Sequence, residues 1–187
     1  LYDLTYTGKG AKVAEVLEKS PLAAVRPLVK PGAIIEKING EEVTAEMPVD
    51  RLLTDKSGKR TLVTIKDADG TSRDIVLRPI SSGAQSGLLY DRWVKQRAHD
   101  VDSLSNGRLG SMDDDSFRKA YSDMLGKYND RDGVVIDIRW NGGGRLHEDI
   151  EVLLSGQKYF TQEIRGKATC DMPSRRWNKP SIMLMSE

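Results

Sequence analysis

The feature that most restricts the fold of this chain is an apolar segment that runs straight into three glycines. Residues 134–138 read Val-Val-Ile-Asp-Ile and lead through Arg139-Trp140-Asn141 to Gly142-Gly143-Gly144. A short run so rich in β-branched residues fits a strand covered on both faces, as in a parallel sheet. Residues 146–154 follow with apolar side chains at helical spacing. Strand, glycine turn and helix in this order predict an α/β unit, and residues 181–185 (Ser-Ile-Met-Leu-Met) supply a further strand of the same sheet. Consecutive glycines reach backbone conformations closed to other residues and leave amide hydrogens unshielded near a helix N-terminus. Such geometry suits the stabilisation of an oxyanion, although the bare Asn-Gly-Gly-Gly string is equally compatible with a flexible turn.

The first 80 residues have a different texture. Short β-branched segments at 1–7, 12–17, 33–38, 60–66 and 73–77 predict strands, punctuated by Gly8, Asn39-Gly40 and Asp69-Gly70. Ser20-Pro21 opens a short helix over 22–28, and Pro48 opens another over 49–54. The stretch 81–86 (Ser-Ser-Gly-Ala-Gln-Ser) has almost nothing to bury and is expected to be a linker between two domains, 1–80 and 87–187. Beyond it, Phe117, Ala120, Tyr121, Met124 and Leu125 predict a helix over 116–128.

Charge and composition narrow the partners. Lys and Arg number 29 against 28 Asp and Glu, so no net field gathers nucleic acid or an anionic membrane surface. No apolar run approaches the roughly 18 residues of a membrane span. Cys170 is the only cysteine, which excludes an internal disulfide and a multi-cysteine metal site. Asp113-Asp114-Asp115 lacks the spacing of a calcium loop and reads as a cluster at a helix start. Arg175-Arg176-Trp177 reads as a surface loop, His99 as exposed and His147 as a helix-face residue beside the glycine turn. The chain opens on Leu1 without a methionine and is expected to have flanks on both sides, so cytoplasmic and periplasmic locations stay open.

Two motif strings carry a resemblance. Ser20-Pro21-Leu22-Ala23, Pro31-Gly32 and Ile38-Asn39-Gly40 stand in the order found in the PDZ domains of bacterial and archaeal proteases. Asp137-Ile138-Arg139-Trp140-Asn141-Gly142-Gly143-Gly144 resembles the strand and turn of carboxyl-terminal-processing and tricorn-type serine peptidases of the S41 type. Leu88-Leu89-Tyr90, Trp93-Val94 and the 104–110 segment resemble the entry to the catalytic domain of the tricorn branch. The resemblance implies a PDZ-like β-barrel of α+β type followed by an incomplete α/β domain like those of ClpP and the crotonases. It implies a serine endopeptidase that acts on peptides or unfolded proteins, needs no metal or organic cofactor, and belongs to a parent protein able to form homo-oligomers.

The same resemblance implies site residues. A backbone amide of Gly142 or Gly143 would polarise the scissile carbonyl. An extended peptide would add to an edge strand through Leu4, Thr5 and Tyr6, with Leu52 and Leu53 of the facing helix lining the side-chain pocket. No residue up to Glu187 matches the family's nucleophile, and neither histidine matches its base. The sequence also departs from the family at Gly110-Ser111, where an apolar strand is expected and missing. Two other classes stay open at this point: a peptide-binding scaffold with a degenerate peptidase part, and an acyl-CoA enzyme with a similar glycine turn.

Overall fold

The computed structural model describes residues 1–112, 117–139 and 147–186. They divide into two compact units, Leu1–Trp93 and Val94–Glu187, each with its own hydrophobic core.

In the first unit, alternation along the chain makes the sheet. Strands β1 (Ala11–Lys12), β2 (Ile34–Ile38), β4 (Thr61–Lys66) and β5 (Ser72–Leu77) lie in the order β1-β2-β4-β5, all antiparallel, with β3 (Glu41–Glu42) paired to β2. Val63, Ile65 and Ile75 point inward at every second position, as a half-buried strand requires. They meet Val13, Ile35, Ile38 and the inner face of a short helix α1 (Val49–Leu52). Asn39-Gly40 turns β2 into β3 with both residues at positive φ, 51° and 86°, the geometry a two-residue hairpin demands. At Asp69-Gly70 the Gly70 N–H donates to the Asp67 carbonyl and the Asp67 N–H to the Thr71 carbonyl, each at 2.9 Å, which fixes the β4–β5 register.

Several expectations need correction here. The sheet is open among the described residues, with β1 and β5 at its ends, so the unit is not a closed barrel. The expected strand over 1–7 shrinks to a bridge between Tyr2 and Val13. Asp3 is the cause: its Oδ1 accepts from the Thr5 N–H at 3.0 Å and from the Thr5 hydroxyl at 2.6 Å, and its carbonyl accepts from the Tyr6 N–H. An aspartate that captures the backbone two residues on makes a turn where the alternation suggests a strand. The expected helix over 22–28 is a single 3-10 turn, Pro21–Ala24. Residues 81–86, read as a linker, begin a 23-residue helix, α2 (Ser82–Leu104), whose start is capped by the Ser81 hydroxyl accepting from the Ala84 N–H.

The second unit is built on a parallel sheet in the order β10-β7-β6, with β6 (Leu109–Met112), β7 (Gly133–Asp137) and β10 (Ser181–Leu184). The apolar strand ahead of the glycines is therefore central, as its residues predict. Helix α3 (Phe117–Ser122) continues as a π-helical turn, Asp123–Lys127, that sets Met124 and Tyr128 into the core. Helix α4 (His147–Ser155) follows β7, and a hairpin of β8 (Phe160–Ile164) and β9 (Lys167–Met172) precedes β10.

Two expectations change in this unit. The strand thought missing at Gly110-Ser111 is present in those very residues, which pair with Val134 and Val135. Gly110 is needed there because a Cβ would sit 2.5 Å from the Tyr128 ring, which lies over the strand and donates its hydroxyl to the Ser111 carbonyl at 2.9 Å. Trp177 is not on a surface loop. It is 4% exposed and packs in the core, with its backbone N–H donating to the Leu153 carbonyl at 2.8 Å, so only Arg175 of that trio is exposed.

Candidate functional site

Two places merit chemical scrutiny, one in each unit. In the first unit, the segment at residues 1–3 lies antiparallel to residues 12–14: the Asp3 N–H donates to the Lys12 carbonyl at 2.9 Å and the Ala14 N–H to the Leu1 carbonyl at 2.8 Å. These bonds flank the Tyr2–Val13 pair, so the N–H and C=O of Tyr2 itself point away from Val13 toward an open edge. Between this segment and α1 lies an apolar cavity of about 140 Å³ whose walls include Tyr2, Val16, Leu22, Val49 and Leu53.

Burial of Tyr2, reinforced by the negative charge of Asp50, pushes its phenol up to about 12. The hydroxyl is therefore a proton donor throughout the neutral range.

The expected peptide contacts separate in space. Leu53 lines the cavity, whereas Leu52 is 8% exposed and packed in the core. Leu4 sits on the Asp3 turn and is 96% exposed. Thr5 is engaged by the Asp3 carboxylate, and the Tyr6 hydroxyl donates to the Lys9 carbonyl at 3.3 Å. Tyr2 is the residue that sequence reasoning passed over. Its signal was the run of Tyr2, Leu4 and Tyr6, which treats all three alike until the Asp3 turn removes the latter two.

In the second unit the relevant place is the carboxyl end of the parallel sheet, where open α/β folds place ligands. Strand β10 is in register with β7 so that Leu184 lies beside Asp137, and the Ile138 N–H donates to the Leu184 carbonyl at 3.0 Å. Both strands thus end at the same level. Asp137 is 4% exposed, and its carboxylate grips the residue two positions on. Oδ1 accepts from Arg139 Nε at 2.9 Å and from the Arg139 backbone N–H at 3.1 Å, and Oδ2 accepts from Nη2 at 2.6 Å. The Arg139 hydrogen bonds hold the Asp137 carboxyl below its ordinary range, against the opposing effect of burial. A charged carboxylate anchored to its own chain fixes the exit of β7.

Gly142 and Gly143 lie outside the described residues, as does Asp113-Asp114-Asp115. His147 opens α4 and His99 lies on α2, both exposed. Among the described residues no group of three or more His, Cys, Asp or Glu is arranged to hold a metal ion, and no helix is long and apolar enough to cross a membrane.

Comparison with known proteins follows the division into units. The tricorn protease PDZ domain family matches residues 2–82, and peptidase family S41 matches residues 105–187. Tricorn protease homolog 1 of Streptomyces coelicolor is 30% identical over 175 residues, covering 90% of this chain and 16% of its own length. The tricorn protease of Thermoplasma acidophilum is 25% identical over 170 residues, covering 80% of this chain and 15% of its own. The chain therefore spans about a sixth of these curated relatives. A crystal structure of the tricorn protease superposes with a TM-score of 0.72 at 22% identity, over 98% of this chain and 19% of that one.

Proposed function

This chain belongs to the tricorn-like peptidases of family S41, and from that premise we propose that it is part of a serine endopeptidase that hydrolyses peptides or unfolded chains. The reading rests on one observation above all: β10 and β7 are parallel and end level, Leu184 beside Asp137. Chain that continues past β10 starts from the same sheet end as the chain that leaves β7 through Arg139. A serine in that continuation would stand near the backbone amides of Gly142 and Gly143, which donate to the carbonyl oxygen as it gains charge in the tetrahedral intermediate. The Asp137–Arg139 clasp supports this role by holding the start of the turn. The parallel sheet and the succession of β7 and α4 support the reading of a ClpP- or crotonase-like domain.

The first unit would capture the substrate. An extended peptide would pair with the outward N–H and C=O of Tyr2 and set a side chain into the cavity beside Leu53.

The test uses the full-length protein and a fluorogenic peptide. Gly142→Pro and Gly143→Pro each delete one amide hydrogen, and the one that serves the oxyanion should lose about 10²- to 10³-fold in kcat. Alanine in place of the serine in the first turn after residue 187 should abolish hydrolysis. Retained activity in that serine variant sinks the assignment.

A further inference from the structure

The opposite edge of the first unit's sheet offers more free backbone than the edge at Tyr2. The β4–β5 ladder alternates, and its phase is fixed at the hairpin, where Asp67 and Thr71 are a hydrogen-bonded pair. Counting along the register, Arg73, Ile75 and Leu77 direct their N–H and C=O groups to β4, and Ser72, Asp74 and Val76 direct theirs outward. The same phase appears across the sheet: Leu62, opposite Val76, gives its carbonyl to the Asn39 N–H and its N–H to Asn39 Oδ1, on the side of β4 away from β5. Three consecutive outward positions are thus presented on β5, against one at Tyr2.

This edge forms one wall of an open groove of about 770 Å³, with the 3-10 turn opposite. Ala24, Val25 and Val76 supply apolar surface, and Val76 is 52% exposed. The lining is mostly cationic: Lys19, Arg26, Arg60 and Arg78 accompany one carboxylate, Asp74, and Lys19 also meets Asp91 at 4.0 Å. The Asp74 carboxylate is engaged by the Thr64 hydroxyl at 2.7 Å. In a chain whose overall charge is balanced, four cations lining one groove are a local bias.

We propose that the free edge of β5 is a second peptide site, which takes an extended segment of alternating apolar and acidic residues as an added strand. Backbone pairing to Ser72, Asp74 and Val76 supplies the affinity, and the cationic rim selects carboxylates. The groove shares Ser20, Pro21, Leu77 and Ile80 with the cavity beside Leu53, but Tyr2 and Leu53 do not line it, and it does not require catalysis.

The experiment measures fluorescence anisotropy of a labelled, carboxyl-amidated peptide of alternating glutamate and valine on the 187-residue chain. Saturable binding is expected, with a lysine–valine peptide failing to bind. Val76→Pro deletes an outward N–H and leaves the β4 ladder intact, so it should weaken binding by about tenfold. The double variant Lys19→Glu/Arg60→Glu should weaken it at least as much, and Leu53→Glu should leave it unchanged. Circular dichroism of each variant separates loss of the site from loss of the fold, and the double variant carries the test if Val76→Pro unfolds. Equal binding of the lysine peptide, or a folded Val76→Pro variant that binds as tightly as the parent, overturns the proposal. So does displacement by a single-stranded oligonucleotide as effective as unlabelled peptide, since that would make the groove a general polyanion surface.

Discussion

Two edge strands, β5 and β10, show how differently the units obtain their stability. In β5 the residues alternate, with Ile75 only 8% exposed and Val76 half open. In β10 all four residues are exposed, its apolar ones from Leu184 at 37% to Ile182 at 58%, although the strand reads as a continuous apolar run. The first is held by side-chain burial beneath a complete antiparallel sheet. The second is held chiefly by its backbone bonds to β7. What covers a strand is decided by elements remote in the chain.

The contrast breaks most readily at Ile65, which is fully buried. Ile65→Ala should cost about 4 kcal/mol in urea unfolding, because the cavity adds to the lost transfer energy. If the loss were below about 1 kcal/mol, the first unit's core would not be close-packed.

A second measure is alkaline stability. Tyr2 ionises at about 12 in the fold against 10.0 ordinarily, so its contribution is complete below pH 10.0 and disappears as pH rises through about 12. The decline should total about 2 to 3 kcal/mol and be absent in Tyr2→Phe. An unchanged alkaline limb in that variant would show that another group controls it.

Gly110→Ala sharpens the comparison from the other side. Its methyl would press on the Tyr128 ring at 2.5 Å, and should cost about 2 kcal/mol, felt by amides of β6 and β7 in hydrogen exchange while those of β4 and β5 keep their protection. Equal loss of protection in both sheets would make the units a single cooperative body.

Arg139→Met should cost about 1 kcal/mol at neutral pH, a value reduced by the partial exposure of the guanidinium. The depressed Asp137 carboxyl contributes stability above the ordinary carboxylate range that is lost as pH falls through its lowered pKa. The variant should flatten that acid limb, and an unaltered limb would mean that the clasp is not what depresses Asp137. Smallest of all, Ile182→Ala on β10 should change stability by less than about 0.5 kcal/mol. A larger loss would mean that the exposed strand is covered in solution.

The hairpin at Asp69-Gly70, the tight turn at Asn39-Gly40 and the strand before the glycines were legible because each is written in adjacent residues: alternation, a pair that tolerates positive φ, a β-branched run. Helix α2 was harder to read. It buries no residue fully and carries Gly83 and Gly87, so neither a strong apolar stripe nor uniform helix propensity marks it. The candidate site divides along the same line. Leu53 lines the cavity that its helix faces, whereas the Asp3 turn, which leaves only Tyr2 paired to Val13, is hidden in the alternation of Tyr2, Leu4 and Tyr6.

By itself, then, the sequence determined the alternating strands of the first unit, its two-residue turns and the strand ahead of the glycines, since local periodicity and turn chemistry depend only on near neighbours. Tertiary structure decided that Trp177 enters a core, that Gly110 makes room for Tyr128, that β10 ends level with β7 and that β5 keeps a free cationic edge. Each of these depends on which distant segments meet, and a contact between remote residues leaves no period in the chain that makes it.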